Sequence, residues 1–258
     1  SIDGASPIVH DSCRGTGSFK RAVAGIRCLQ EHGIPVSIRV TIHHWNVQDL
    51  EHLAMFLLDE LELPSFSTNS AGYFGLCQHH SADVYLTVED RVAAMATLVS
   101  LEERYPGRIT ANAGPLAEAK MFLEMEQALH QSRPALKGGG YLTGCNCTWE
   151  KIAVRADGTI IPCTILPHRE LGRINRNSLL KIWQNHPFLQ DMRTRSSIPL
   201  SSFNFCSGCQ YLQFCTGNCP AEAYTMLGND FHPSPDSCYR LFLEEGGEIM
   251  PIKGITRK

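Results

Sequence analysis

Four cysteines fall within CSGCQYLQFCTGNC, residues 206 to 219, and four more, Cys145, Cys147, Cys163 and Cys238, flank them. Eight thiols make two sets of four. A CxxC step turns the chain back on itself, so that two thiolates face one hollow while backbone amides point at their sulfurs. Thiolate tetrads hold either structural zinc or an iron–sulfur cluster, and spacing leaves both open. Disulfides are the weaker reading. The eleven cysteines are an odd number, and the chain opens without the charged, apolar and small-residue pattern of a secretion signal, which together favour metal and a cytoplasmic setting.

Other residues carry chemistry less specifically. Cys77, in GLCQHH with His79 and His80, suits a nucleophile or a metal site, and equally a solvated loop. Cys13 and Cys28 read as ordinary loop and helix residues. His43 and His44 end a strand, where substrate contacts would sit, and serve a structural role as readily. Arg39 and Asn69 fall on the presumed inner faces of two strands, and an inward, buried Arg needs an anion, from a cofactor carboxylate or a neighbouring Asp. Asp3 shares a face with Ser1 and reads equally as a turn former before Gly4. No catalytic residue stands out.

The elements that must position these residues change character along the chain. Ser18 can cap a helix with the stripe Phe19, Val23, Ile26 and Leu29, stopped at Gly33. IPVSIRVTI, 34 to 42, alternates strictly between apolar and polar and predicts a strand. Asn46 can cap a helix carrying Leu50, Leu53, Phe56 and Leu57, and SFSTNS after Pro64 predicts a short strand. Thr87 with Asp90 forms a capping-box signature for a third helix, which stops at Pro106 and Gly107. A short piece around Ile109 and a helix near 116–129 follow. Strand and helix alternating imply a parallel sheet with helices outside, and a polar strand face suits a barrel mouth. The expected division is 1–130 for this α/β part, 131–144 (with KGGGYLTG) for a linker and 145–258 for a small cysteine-bearing domain, with a hairpin at ADG, 156 to 158. At 258 residues and a net charge of -3, with no apolar run near the ~20 residues of a membrane span, neither nucleic acid nor membrane is expected as a partner.

The order of the thiols then gains a meaning. Cys147, ten residues, Gly158, four residues, Cys163, a gap, Cys206xxCys209xxxxxCys215xxxCys219 and a distant Cys238 resembles the SPASM domain, the C-terminal extension of many radical S-adenosylmethionine (SAM) enzymes. LGRIN and SLLKIWQN, at 171–175 and 178–185, are similar to that domain's Gly-containing strand and Trp-bearing helix. The resemblance implies two auxiliary 4Fe-4S clusters. Cys206, Cys209, Cys215 and Cys238 would hold one, and Cys163 and Cys219, with Cys147, Cys145 or both, the other. SIDG and HDSCRGTGSF, 1–4 and 10–19, are similar to the fourth strand and following loop of radical SAM barrels, with IPVSIRVTI and FSTNSAGYFG at the fifth and sixth strands. By that likeness Ser1 and Arg14 contact the ribose or carboxylate of S-adenosylmethionine.

The fold this implies is α/β: a partial radical SAM (β/α)6 barrel, strands four to six, followed by a small α+β SPASM domain. The family's CxxxCxxC loop occurs nowhere in the 258 residues. The resemblance therefore places it upstream of Ser1, together with a missing N-terminal half-barrel, and the chain alone is expected to be inactive. In the family a reduced cluster splits S-adenosylmethionine and the 5′-deoxyadenosyl radical takes a substrate hydrogen. A parent protein of this kind implies S-adenosylmethionine, a third 4Fe-4S cluster, an external electron donor and a peptide or protein substrate. Sulfatase maturases and small-molecule radical SAM dehydrogenases are the neighbouring alternatives; a non-enzymatic zinc or iron–sulfur module is the alternative of another class. Sulfatase maturases resemble this chain too, but carry an aspartate, taken to accept the substrate proton, where Thr164 follows Cys163 here. Thr164 cannot act as a base near neutral pH, so no conversion of sulfatase-type peptides is expected.

Overall fold

The computed structural model describes residues 1–145 and 147–249. It forms two compact units: Ser1–Glu124 together with the chain from Phe242, and Met125–Leu241. The whole is mixed α/β.

In the first unit, alternation dictates the sheet. Ile38, Val40 and Ile42 of β1 (Ile38–Ile42) are buried while Arg39 is exposed. β1 pairs in parallel with β2 (Phe66–Ser70), in the register Ile38 to Phe66 and Thr41 to Asn69, and β2 pairs in parallel with β3 (Ile109–Ala111). The stretch around Ile109 is thus the third strand. Residues 34–37 stay outside β1, and residues 1–4, expected as a strand, are irregular. Ile2 donates one backbone hydrogen bond to the Arg39 carbonyl at 3.3 Å. A carboxylate then takes the place of further ladder: the Thr41 amide donates to Asp3 Oδ1 at 2.8 Å, which ends the pairing.

Two helices precede the sheet, α1 (Pro7–Arg14) and α2 (Ser18–Glu31). Ser18 does not cap α2. Asp11 does so from the preceding helix, accepting from the amides of Gly17 and Phe19 and from the Ser18 hydroxyl at 2.6, 2.8 and 2.9 Å. Gly33 stops it with φ +66°, and Leu29, expected in the apolar stripe, is exposed. After β1 the chain winds through a 3-10 stretch His44–Asp49, α3 (Leu50–Met55) and a π-turn Phe56–Glu60. Asn46 sits inside that stretch rather than at a helix cap, fully buried. Its amide nitrogen donates to the carbonyls of Asp3 and Thr41 at 2.8 and 2.9 Å, and its oxygen accepts from the His43 amide at 2.8 Å. Two helical turns follow β2, α4 (Leu76–His79) and α5 (Ser81–Val84). α6 (Val88–Arg104) starts on the expected capping box, Thr87 and Asp90 each bonding the other's backbone amide at 3.1 Å. Val40, Ile42, Leu53, Leu57, Leu98 and Ile109 make the core. Each fully buried Leu or Ile here stabilises by about 2 kcal/mol.

α7 (Pro115–His130) enters the second unit, whose regular structure is sparse. β4 (Ala153–Val154), β5 (Thr159–Ile161) and β6 (Gly172–Arg173) form an antiparallel meander. Gly158, at φ +84°, turns the expected hairpin, and Asp157 Oδ1 accepts from the Thr159 amide at 2.9 Å. Ser178 caps α8 (Leu179–Asn185), followed by α9 (Pro187–Thr194), α10 (Pro220–Leu227) and α11 (Tyr239–Glu244). Ile160, Leu171, Ile182 and Leu189 close one small core, and Leu142 and Leu200 anchor another. Among the described residues no helix is long and apolar enough to cross a membrane.

Candidate metal centres

Backbone pairing decides where the thiols meet. Residues 140–144 run beside 215–218: the amide of Gly140 donates to the Cys215 carbonyl, and those of Thr143 and Gly144 to the Thr216 carbonyl, all at 2.9 Å. The approach is so close that a Cβ on Gly144 would lie 2.6 Å from the Asn218 carbonyl oxygen. Only a residue without a side chain allows it. The pairing delivers Cys145 beside the segment that ends in Cys219.

Between Cys215 and Cys219 the chain reverses through two left-handed residues, Gly217 at φ +74° and Asn218 at φ +58°. Asn218 Nδ2 donates to the Ser237 carbonyl at 2.8 Å, and the Ser234 amide donates to the Gly217 carbonyl at 2.9 Å, which fastens the loop beside Cys238. Neighbouring cysteines of one loop consequently join different company. Cys206, Cys209, Cys215 and Cys238 line one small hollow, with Leu212 and Arg240 on its wall. Gly208, at φ +71°, turns the CxxC step, and the Gly217 amide donates to the Cys215 sulfur at 3.3 Å.

Cys145 and Cys147 belong to the second group. Their sulfurs are 3.1 Å apart, and the Cys147 amide donates to the Cys145 sulfur at 3.4 Å. Cys163, just after β5, and Cys219, just before α10, lie within electrostatic reach of Cys147. Cys145 borders a second hollow, shared with Thr148, Trp149 and Arg195.

Electrostatics sorts the thiols further. The hydrogen bond from Cys147 is the main cause that holds Cys145 down at about 6, with its amide and the Arg195 charge assisting against burial. The same shared hydrogen bond, then burial, pushes Cys147 up. Burial is the largest cause in lifting Cys206 and Cys219 to about 12, Cys215 to about 11, and Cys238 upward. Thiols raised by burial must lose their protons before they can ligate a metal. A consequence follows for the metal-free protein: above the ordinary thiol value of 9.0 the unfolded chain ionises while these folded thiols stay protonated. The folded state then binds more protons, so stability falls as pH rises from about 9 toward 12. Thermal melting of the metal-free chain between pH 7 and 11 is expected to show that fall, and a flat profile would refute it.

Unit one answers differently for the residues expected near S-adenosylmethionine. Ser1 is exposed, as is Arg39, which was expected buried; the buried alternation of Ile38, Val40 and Ile42 turns it to the open face. Arg14 is already paired, its Nε donating to the buried Asp3 carboxylate, so Asp3 is more than a turn former. Asn69 is half-buried and its side-chain oxygen lacks a hydrogen-bond partner, as do both ring nitrogens of the buried His43. Burial lowers the His43 pKa and keeps the ring neutral. His44 bonds Asp90 at 2.6 Å and so serves the start of α6. Cys13 and Cys28 are exposed. Among the described residues no three His, Cys, Asp or Glu side chains converge as a single-ion site, which includes Cys77, His79 and His80. Sequence reasoning missed Arg195 and Gly144; a lone Arg in RTRSS and a Gly in a Gly-rich stretch carry no spacing signal.

Residues 145–210 match the SPASM family, an iron–sulfur cluster-binding domain. Fe-coproporphyrin III synthase of Methanosarcina barkeri is 25% identical over 254 residues, 93% of this chain and 61% of the relative. PqqA peptide cyclase of Ruegeria pomeroyi is 22% identical over 239 residues, 91% of this chain and 58% of the relative. Residues 145–210 are thus a SPASM domain, in a chain that is similar over most of its length to these proteins. The fold agrees: Streptococcus suis SuiB bound to precursor peptide SuiA matches with a TM-score of 0.63 at 14% identity, over 92% of this chain and 52% of SuiB. The chain spans less than two thirds of the length of each of these proteins. For the SPASM part the donor set fits the family's group: two gatherings of thiols, each beside an arginine.

Proposed function

We propose that this chain is the cluster-bearing part of a radical SAM oxidoreductase that modifies a peptide or protein, and that it holds two auxiliary 4Fe-4S clusters. The observation that carries the reading is the partition of eight thiols, with Cys206, Cys209, Cys215 and Cys238 around one hollow and Cys145, Cys147, Cys163 and Cys219 gathered apart. Clusters held by such thiolates supply single-electron transfer at potentials set by burial and by hydrogen bonds to sulfur. The chain's own residues do the rest. Gly144 and Gly217 let two backbones approach, Asn218 fixes the reversal, and the Ala221 and Glu222 amides face the Cys219 sulfur. In the first unit Ser1, Arg14, Arg39 and Asn69 would meet S-adenosylmethionine, a reading supported by the unpartnered side-chain oxygen of Asn69 near the end of β2. The peptide assignment is supported by PqqA peptide cyclase and peptide-bound SuiB among the similar proteins.

A tetrapyrrole or other small molecule is the second reading, favoured by the likeness to Fe-coproporphyrin III synthase. Anaerobic reconstitution with iron and sulfide is expected to load about eight irons per chain. Given S-adenosylmethionine and reductant, the chain alone should form no 5′-deoxyadenosine, because its 258 residues contain no CxxxCxxC. The protein extended to include that loop should change the mass of a peptide encoded beside it and leave Fe-coproporphyrin III untouched. Zinc in place of iron, or turnover of the tetrapyrrole alone, would overturn the proposal.

A further inference from the structure

We propose that Arg195 is the built-in counter-charge of the centre formed by Cys145, Cys147, Cys163 and Cys219, and that it raises the reduction potential of that centre. The inference rests on the cluster reading above. Arg195 opens the 3-10 turn Arg195–Ser197 and is only 2% exposed. Both of its terminal nitrogens, Nη1 and Nη2, are buried without a hydrogen-bond partner. A buried guanidinium left unpaired is costly, so a charge must meet it.

The surroundings offer few candidates. Its one acidic neighbour of electrostatic weight, Asp230, is engaged elsewhere, accepting from Arg169 Nη2 at 3.0 Å. The guanidinium lies over the Phe231 ring, 6.0 Å from its centre, a cation–π contact at the edge of the useful range that supplies no counter-anion. What remains within reach is sulfur: Cys145, Cys219 and Cys147 all act on its charge, and Cys145 shares its hollow. The arginine of the other hollow differs, because Arg240 is only half-buried and its Nη2 donates to the Phe205 carbonyl at 2.7 Å. Reduction adds an electron, hence negative charge, to a thiolate-held centre. A fixed positive charge in a low-dielectric site favours that reduced state, and N–H donors to sulfur act in the same direction. Arg195 is thus a positioning and tuning residue; it takes no proton and forms no bond to substrate.

The test compares Arg195→Gln and Arg195→Lys with the unaltered chain, each reconstituted anaerobically and titrated under EPR, with Cys238→Ala identifying which signal belongs to the Cys145 group. Arg195→Gln should lower the equilibrium constant for reduction of that centre at least tenfold, about 59 mV for a one-electron couple, and leave the other centre unmoved. Arg195→Lys should recover most of the shift. An unmoved potential in Arg195→Gln, equal shifts at both centres, or loss of iron from both variants would overturn the assignment. An unaltered chain that binds no iron at the Cys145 group would instead sink the cluster reading, which the iron count reports separately.

Discussion

Cys238→Ala should remove about four irons per chain and leave the centre of Cys145, Cys147, Cys163 and Cys219 loaded, whereas Cys219→Ala should do the converse. Proximity in sequence argues the opposite, since Cys219 stands four residues after Cys215 and Cys238 lies nineteen beyond Cys219. The backbone overrules it. The left-handed pair Gly217 and Asn218 turns Cys219 toward Cys145, and the Asn218 bond to the Ser237 carbonyl holds Cys238 against the CxxC hollow. Iron and sulfide counts with Mössbauer spectra on both variants measure the outcome. The partition is wrong if the two substitutions empty the same centre.

The second large effect is expected at a residue with no donor atom in its side chain. Gly144→Ala would place its methyl group 2.6 Å from the Asn218 carbonyl oxygen and 2.9 Å from the carbonyl carbon and Cα of the same residue. These are backbone atoms that cannot swing aside, so the 140–144 segment and the 215–218 segment must part, at about 1–3 kcal/mol. Because that seam brings Cys145 to Cys219, iron should leave the Cys145 group before the CxxC group, and melting should fall. Gly25→Ala is the contrasting substitution: it lies in α2 with nothing near its would-be Cβ, and Ala there should stabilise by up to about 1 kcal/mol. A Gly144→Ala chain with full iron and unchanged melting would refute the seam.

The thiols, the β1 alternation and the Thr87 box were legible because each is a local rule: spacing, period and cap. What stayed hidden depends on atoms distant in sequence. Asn46 has the right chemistry for a cap, yet its amide is drawn to carbonyls at Asp3 and Thr41 that no window around it contains. Asp11 caps a helix across a loop, and residues 1–4 lose strand character because the Asp3 carboxylate takes the Thr41 amide. The polar face of its strand points to an inward Arg39, but a polar face can also be an open one. Arg195 was invisible for the plainest reason: nothing in RTRSS tells a buried arginine from a solvated one.

The sparseness of the second unit bears on its life in air. Its strands run two or three residues and α8, α9 and α10 seven or eight, so little ladder hydrogen bonding resists loosening. Iron ligated from Cys163 and Cys219, or from Cys215 and Cys238, would tie together points far apart along the chain. A covalent tie across such loops restricts the unfolded chain by about 3–5 kcal/mol. The inorganic centres would then serve as this unit's staples as well as its electron carriers. Oxygen that strips them would release chain entropy together with iron, and an oxidised molecule would become a substrate for proteases.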